Sequence, residues 1–239
     1  MGHKVNPISF RLINNKNWQS SWFSKNDYAE LLIEDINIRK ELTKKLGKTS
    51  GVEKIEIKRD NQETVINIYT SRPGIIIGRS GQGIEEIKKL LERKIAQFKE
   101  ENKYVFGSKK LDDNKVANKK LKINILEVRI PELSAPIMAQ NIANQLEKRV
   151  AHRRTAKQAI EKISEKGAKG VKVVISGRLG GAEIARVEKY SHGSIPLGKI
   201  NADIDYAHKD ALTTYGIIGV KVWIYKNPVN VNKNTNLPK

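Results

Sequence analysis

The chain of 239 residues contains no cysteine. That removes disulfides, thiolate zinc sites and thiol nucleophiles together, and it fits the reducing interior of a cell. Aromatic residues are scarce at 6%, too few for a surface that works mainly by stacking bases on rings. No apolar run approaches the ~18 residues of a membrane span. The start, MGHKVNPISFRL, lacks a hydrophobic signal core, and Asn6 stands where a myristoylation signal requires Ser or Thr. The expected location is therefore the cytoplasm, with no membrane partner. His3, His152, His192 and His208 are scattered without paired spacing, so no metal site and no cofactor is expected. No local arrangement of Ser, Asp or Glu marks a catalytic triad.

What the chain does have is positive charge. There are 45 Lys and Arg against 26 Asp and Glu, a formal net charge of +19 and an isoelectric point near 9.9. A compact protein with that imbalance repels itself, so a polyanionic partner is the natural explanation. With rings scarce, phosphate contact is the expected mode.

Residues 1–19 are polar and Asn-rich and read as an arm, with Trp18 and Trp22 as anchors. From Asp27, a candidate N-cap, a helix runs to Leu46, with Leu31, Leu32, Ile36 and Leu42 as its apolar face and Gly47 as its stop. VEKIEIKR (52–59) and TVINIYTS (64–71) alternate apolar and polar residues, and the Asp60–Asn61 corner joins them as a hairpin. After the glycines of 78–83, Ile84, Ile87, Leu90, Leu91 and Ile95 recur at helical spacing. Residues 99–120 are Lys/Asn-rich and weakly patterned, an expected insertion, and strand alternation returns over 121–130. The first folded domain is thus expected over 20–130.

Pro131 and Pro136 mark a boundary. Ser134 is a candidate N-cap, Ile142, Leu146 and Val150 form a stripe, and a second helical stretch spans about 155–165. Period-two segments follow at 171–176, 184–190, 200–206 and 219–225. Two helices and then four strands predict a two-layer α+β domain with a four-stranded sheet over 131–226. Residues 227–239 have the composition of a disordered tail.

The segment IIIGRSGQGIEEI (75–87) excludes two nucleotide signatures. Gly83 is followed by Ile84 and Glu85, not the Lys and Ser/Thr of a Walker loop, and Glu86 stands where the dinucleotide fingerprint needs a glycine. What remains is Gly78-Arg79-Ser80-Gly81, a Gly-x-x-Gly corner within an α-β-β-α-α-β order. Missing Cβ atoms let a sugar-phosphate backbone approach, and a helix start beside Arg79 favours phosphate. Over 27–130 this arrangement resembles a KH domain of the second type.

Between Lys148 and Lys157 there are five Lys or Arg and no acid. On an unbroken helix Arg149, Arg153 and Lys157 share one face, with Arg154 to one side. A charge run is often only a solvated face, but here no acid interrupts it, which suits a ridge for phosphates. In SGRLGGAEIAR (176–186) the glycines read as a turn between strands, and Arg178 and Arg186 are candidate RNA contacts.

The opening MGHKVNP, the Gly-x-x-Gly helix, SGRLGGAEIAR, ADIDY and TTYGIIGVKVWIYK together resemble the bacterial small-subunit ribosomal protein three family, over nearly the whole chain. The resemblance implies a type II KH domain and a C-terminal α+β domain in the head of the small subunit. It implies binding to the 16S-type ribosomal RNA beside the messenger RNA entry channel, with small-subunit proteins ten and fourteen as neighbours. In bacterial relatives an Arg-Arg-x-x-Lys stretch is implicated in gripping messenger and opening its helices; here it is Arg153, Arg154 and Lys157. Two features depart from the family pattern: the 99–120 segment is longer, and Arg79-Ser80 stand where relatives often carry two basic residues. A different class, a lyase acting on damaged DNA through a lysine amine, has no lysine in an evidently apolar setting to support it. A KH-bearing GTPase lacks its Walker loop.

Overall fold

The computed structural model describes residues 4–12, 15–25, 27–60, 63–102 and 120–226. Asn61 of the expected hairpin corner, residues 103–119 of the expected insertion and the expected tail at 227–239 lie outside the described residues. The chain divides into two compact units, residues 18–129 and residues 1–17 with 130–239.

The first unit opens with a two-residue strand β1 (Ser20–Ser21), then helix α2 (Tyr28–Leu46), strands β2 (Val52–Arg59) and β3 (Glu63–Thr70), helices α3 (Pro73–Ile77) and α4 (Gln82–Asn102), and strand β4 (Lys120–Glu127); helix α1 belongs to the other unit. The α-β-β-α-α-β order is the expected one. β2 and β3 are antiparallel, while β4 lies parallel to β3, as a connection that crosses over through helices requires. The sheet order is β1-β2-β3-β4. Ile57 faces Ile66 and Ile55 faces Ile68 across the ladder, and all four are buried with Ile38 and Leu42 of α2 and Ile87 and Leu91 of α4. Each such side chain withdrawn from water contributes about 1.5–3 kcal/mol.

Two expectations need correction here. α4 runs through Asn102, so the first residues assigned to an insertion at 99–120 are helical, and Lys120 already belongs to β4. The buried face of α2 is not Leu31, Leu32 and Ile36. It is Ile38, Leu42 and Leu46, continued by two acids, Glu34 and Asp35, while Leu32 and Ile36 are exposed. The acids are buried because they meet Arg59 of β2: its Nε and Nη2 donate to Asp35 at 2.9 and 2.5 Å, and its Nη1 to Glu34 at 3.2 Å. Ser20 and the Trp22 indole also donate to Asp35, so Trp22 is an anchor while Trp18 stays exposed. Asp27 precedes α2 but its carboxylate makes no capping bond.

The second unit begins with the short helix α1 (Pro7–Phe10), capped by the Asn6 side chain. After a boundary turn come α5 (Ala135–Glu147), α6 (His152–Glu165) and strands β5 (Gly170–Gly177), β6 (Arg186–Gly193), β7 (Ile204–Thr213) and β8 (Gly216–Tyr225). The four strands form one antiparallel sheet in the order β6-β5-β8-β7. One face, with Val173, Ile175, Val220 and Val222, packs against Ala139, Ile142, Ala156 and Ile163 of the helices. This is the expected two-layer α+β domain. Ser134 precedes α5 without a side-chain cap; Asp205 of β7 accepts from the Ala135 N–H instead, at 2.9 Å.

The expected strand at 200–206 begins only at Ile204, because the preceding residues serve another purpose. Arg11, just after α1, is fully buried (0% exposed). Its guanidinium donates to the carbonyls of Pro7, Leu197, Lys199 and Ala202 at 2.7–3.0 Å. A turn that aims three carbonyls inward at one cation does not pair as a strand.

Candidate nucleic-acid interface

The Gly-x-x-Gly corner sits where α3 hands over to α4. Gly78 ends α3 with φ 71° and ψ −174°, a region essentially reserved for glycine. A single turn of Arg79–Gly81 follows, in which Ser80 is also left-handed. α4 then starts against the end of α3 so closely that a Cβ on Gly83 would lie 2.5 Å from the Ile76 carbonyl oxygen. Gly78 and Gly83 are therefore bare for the protein's own turn. Gly81 is also left-handed, at φ 81°, but a Cβ there would meet nothing within 4 Å. Arg79 and Ser80 are exposed beside it. The open part of the corner is Arg79-Ser80-Gly81, with the start of a long helix behind it.

The basic run is not one helix, and this corrects the shared face expected for Arg149, Arg153 and Lys157. α5 stops at Glu147, and Arg149 turns left-handed at φ 61°. The Arg149 N–H bonds the Leu146 carbonyl at 3.0 Å and the Val150 N–H bonds the Gln145 carbonyl at 3.1 Å, the Schellman pattern of helix termination. Glycine usually marks such a stop; arginine at this position hides it from the sequence. Val150 accordingly leaves the apolar stripe and is exposed. α6 then starts at His152, earlier than expected, with Thr155, Ala156, Ala159 and Ile163 buried. Arg153 and Lys157, one turn apart, and Arg154 beside them are exposed. They occupy the first two turns of the helix, and the first carries no acid. Cations at a helix N-terminus oppose the macrodipole, by about 0.3–1 kcal/mol each. Helix stability does not account for this placement.

One acid does reach the run, from a strand. Glu188 of β6 lies 3.2 Å from His152 Nε2 and 3.8 Å from Arg153 Nε, and it accepts a hydrogen bond from the Tyr190 hydroxyl. Reading the run locally misses this residue, since only sheet pairing brings it there. The Tyr190 hydrogen bond and then the attraction of His152 and Arg153 hold the Glu188 carboxyl below the usual glutamate range. Its contribution to joining β6 and α6 is thus complete above that range and is lost as pH falls through the lowered value. Tyr190→Phe removes the leading cause, so the Glu188 titration, followed by carboxyl carbon NMR, should move upward toward the ordinary value. An unmoved titration would show that the hydroxyl is not the main stabiliser.

Arg178 and Arg186 flank the glycine turn between β5 and β6. Arg178 is half-buried, donating Nε to the Ala182 carbonyl at 2.9 Å and lying 5.8 Å from the Tyr215 ring centre. Arg186 opens β6 and is exposed. Among the described residues no group of three His, Asp or Glu is placed to hold a metal ion, and no helix is long and apolar enough to cross a membrane.

Residues 37–133 match the family described as KH domain. Similarity to characterised proteins extends much further. A small ribosomal subunit protein uS3 from Pelobacter propionicus is 47% identical over 229 residues, 96% of this chain and 98% of the relative. One from Bacillus cytotoxicus is 45% identical over 233 residues, 98% of this chain and 96% of the relative. The chain belongs to the uS3 family. Residues 142–224 match ribosomal protein S3, C-terminal domain, which places α6 and the whole second sheet within that uS3 module. A uS3 chain is a structural, RNA-binding protein of the small ribosomal subunit, built from a KH domain and this second α+β domain.

Proposed function

We propose that this uS3 chain binds the 16S-type ribosomal RNA and also lines the messenger RNA path, with small-subunit proteins ten and fourteen as neighbours. The Arg79-Ser80-Gly81 corner lies against an RNA backbone, and Arg178 and Arg186 add contacts from the second unit. Arg153, Arg154 and Lys157 hold separated messenger strands by their phosphates, so structured messages are opened passively, without nucleotide hydrolysis by this chain. The observation that carries the reading is the exposed cationic start of α6, set against the helix dipole, where a phosphate would relieve the repulsion.

The test is Arg153→Ala, Arg154→Ala and Lys157→Ala in one chain. All three side chains point away from the α6 core, so the fold and entry into small subunits should survive. Ribosomes carrying the variant should stall more at a stable hairpin ahead of the entry channel and translate unstructured messages at the normal rate. Equal rates on both messages would sink the proposal.

A further inference from the structure

The second sheet has two faces: α5 and α6 cover one, and on the other Ile195, Leu197 and Ala202 pack over part of the surface. Its register places Lys189 of β6, Val174 of β5, Lys221 of β8 and His208 of β7 in one row across the other face. The next row brings Ser191, Lys172, Trp223 and Tyr206 together. Strands lie about 4.8 Å apart, so Lys189 and Lys221 stand roughly 10 Å from each other with Lys172 on the strand between them. Neither row contains an acid; Asp210, one row beyond His208 on β7, lies 3.4 Å from it. Among the described residues none of Lys172, Lys189 and Lys221 has a carboxylate within ion-pair distance.

A row of lysines on a sheet has an ordinary use, since their stems cover apolar neighbours. Val174 and Trp223 are buried on this side in a cluster with Ala202 and Ile204, with Ile195 and Leu197 against it, and the Lys172 ammonium lies 5.7 Å from the Trp223 ring centre. Covering alone, however, is served as well by alternating signs, and like charges on neighbouring strands oppose sheet stability. The repulsion is felt here: burial, and then Lys4 and Lys189, lower the affinity of Lys172 for its proton. The sheet holds unneutralised charge in a fixed pattern.

We infer that the lysine-bearing part of the sheet face opposite α5 and α6, through Lys172, Lys189 and Lys221, is a further binding surface for the phosphodiester backbone of RNA. It is separate from the α6 ridge, because these residues project from the side of the sheet opposite the helices. The occupant is RNA because the face offers cations with an aromatic pair beneath them, Tyr206 and Trp223 at 5.1 Å, and no acceptor array for a basic partner.

The full chain would be bound to small-subunit ribosomal RNA and the affinity measured against salt. Lys172→Gln, Lys189→Gln and Lys221→Gln together should make the log–log slope shallower by about 2–3, at 0.7–0.9 per lost phosphate contact. Lys40→Gln, Lys44→Gln and Lys162→Gln, on exposed helix positions, form the control and should leave it nearly unchanged. The ridge variant measured in parallel keeps this result distinct from the messenger proposal. Equal slopes in the sheet and control variants would overturn the inference. Should the sheet variant fail to fold, amine labelling of the unaltered chain decides: RNA alone should protect the three lysines. Unchanged labelling on RNA, or protection that arises only in whole subunits, would overturn it, the latter in favour of a protein neighbour.

Discussion

Arg11→Ala should cost the second unit about 3–5 kcal/mol, since each of several buried acceptors left without a donor costs about 1–3 kcal/mol. The side chain is wholly buried and its guanidinium gathers carbonyls from residues 7, 197, 199 and 202. Alanine leaves those oxygens, all of them acceptors, facing a cavity with no donor in it. The Leu197 carbonyl, at 2.9 Å from Nη2, and the Ala202 carbonyl, at 2.7 Å from Nε, need donors with a fork geometry. Lysine offers a single point charge and should recover little. Because the two units need not unfold together, hydrogen exchange at β5 and β8 amides is the proper measurement. A loss under about 1 kcal/mol would mean water replaces the guanidinium at little cost.

Arg59→Leu is expected to be comparably damaging to the first unit, again about 3–5 kcal/mol. It strands Asp35, which is 0% exposed, beside Glu34 at 5%. Ser20 and Trp22 still donate to Asp35, and the Arg39 guanidinium remains nearby, bonded to Ser20. Neutral donors and one indirect cation do not replace the direct bonds of Arg59 to both carboxylates. Adding Asp35→Asn should therefore recover part of the loss, since the stranded charge is gone while the amide oxygen still accepts from Ser20 and Trp22. Urea unfolding of both variants reads this coupling directly. No recovery in the double variant would show that Arg59 matters by packing alone.

These two side chains also show where sequence reading stops. Alternation and helical spacing make β2, β3, α4, β5 and most of β8 legible, because in them burial follows hydrophobicity closely. α2 was turned the wrong way for the opposite reason. Its buried face includes Glu34 and Asp35, and only a distant arginine on β2 makes their burial tolerable. Its glycines mark the Gly-x-x-Gly corner, yet Gly78 and Gly81, through positive φ, and Gly83, through close backbone contact, answer to backbone geometry that spacing alone does not reveal. The basic run was found by composition, whereas its break at Arg149 was not, since a left-handed helix stop without glycine leaves no local mark. Glu188 and the lysine rows of the sheet face opposite α5 and α6 depend on strand register, which emerges only once the strands are paired.

The position of Arg11 also bears on the order in which the molecule comes together during synthesis. Residues 18–129 form a unit continuous in the chain, but the other unit joins residues 1–17 to residues beyond 129. The KH unit has all its parts as soon as β4 is made, and domains generally fold as units in the order of their emergence. Arg11 is made among the first residues, yet its carbonyl partners at 197, 199 and 202 come near the end. Throughout that interval the Arg11 guanidinium lacks those three acceptors, although the KH unit already has all its parts. Truncation between residues 130 and 196 should leave the KH unit folded and the opening segment unlatched.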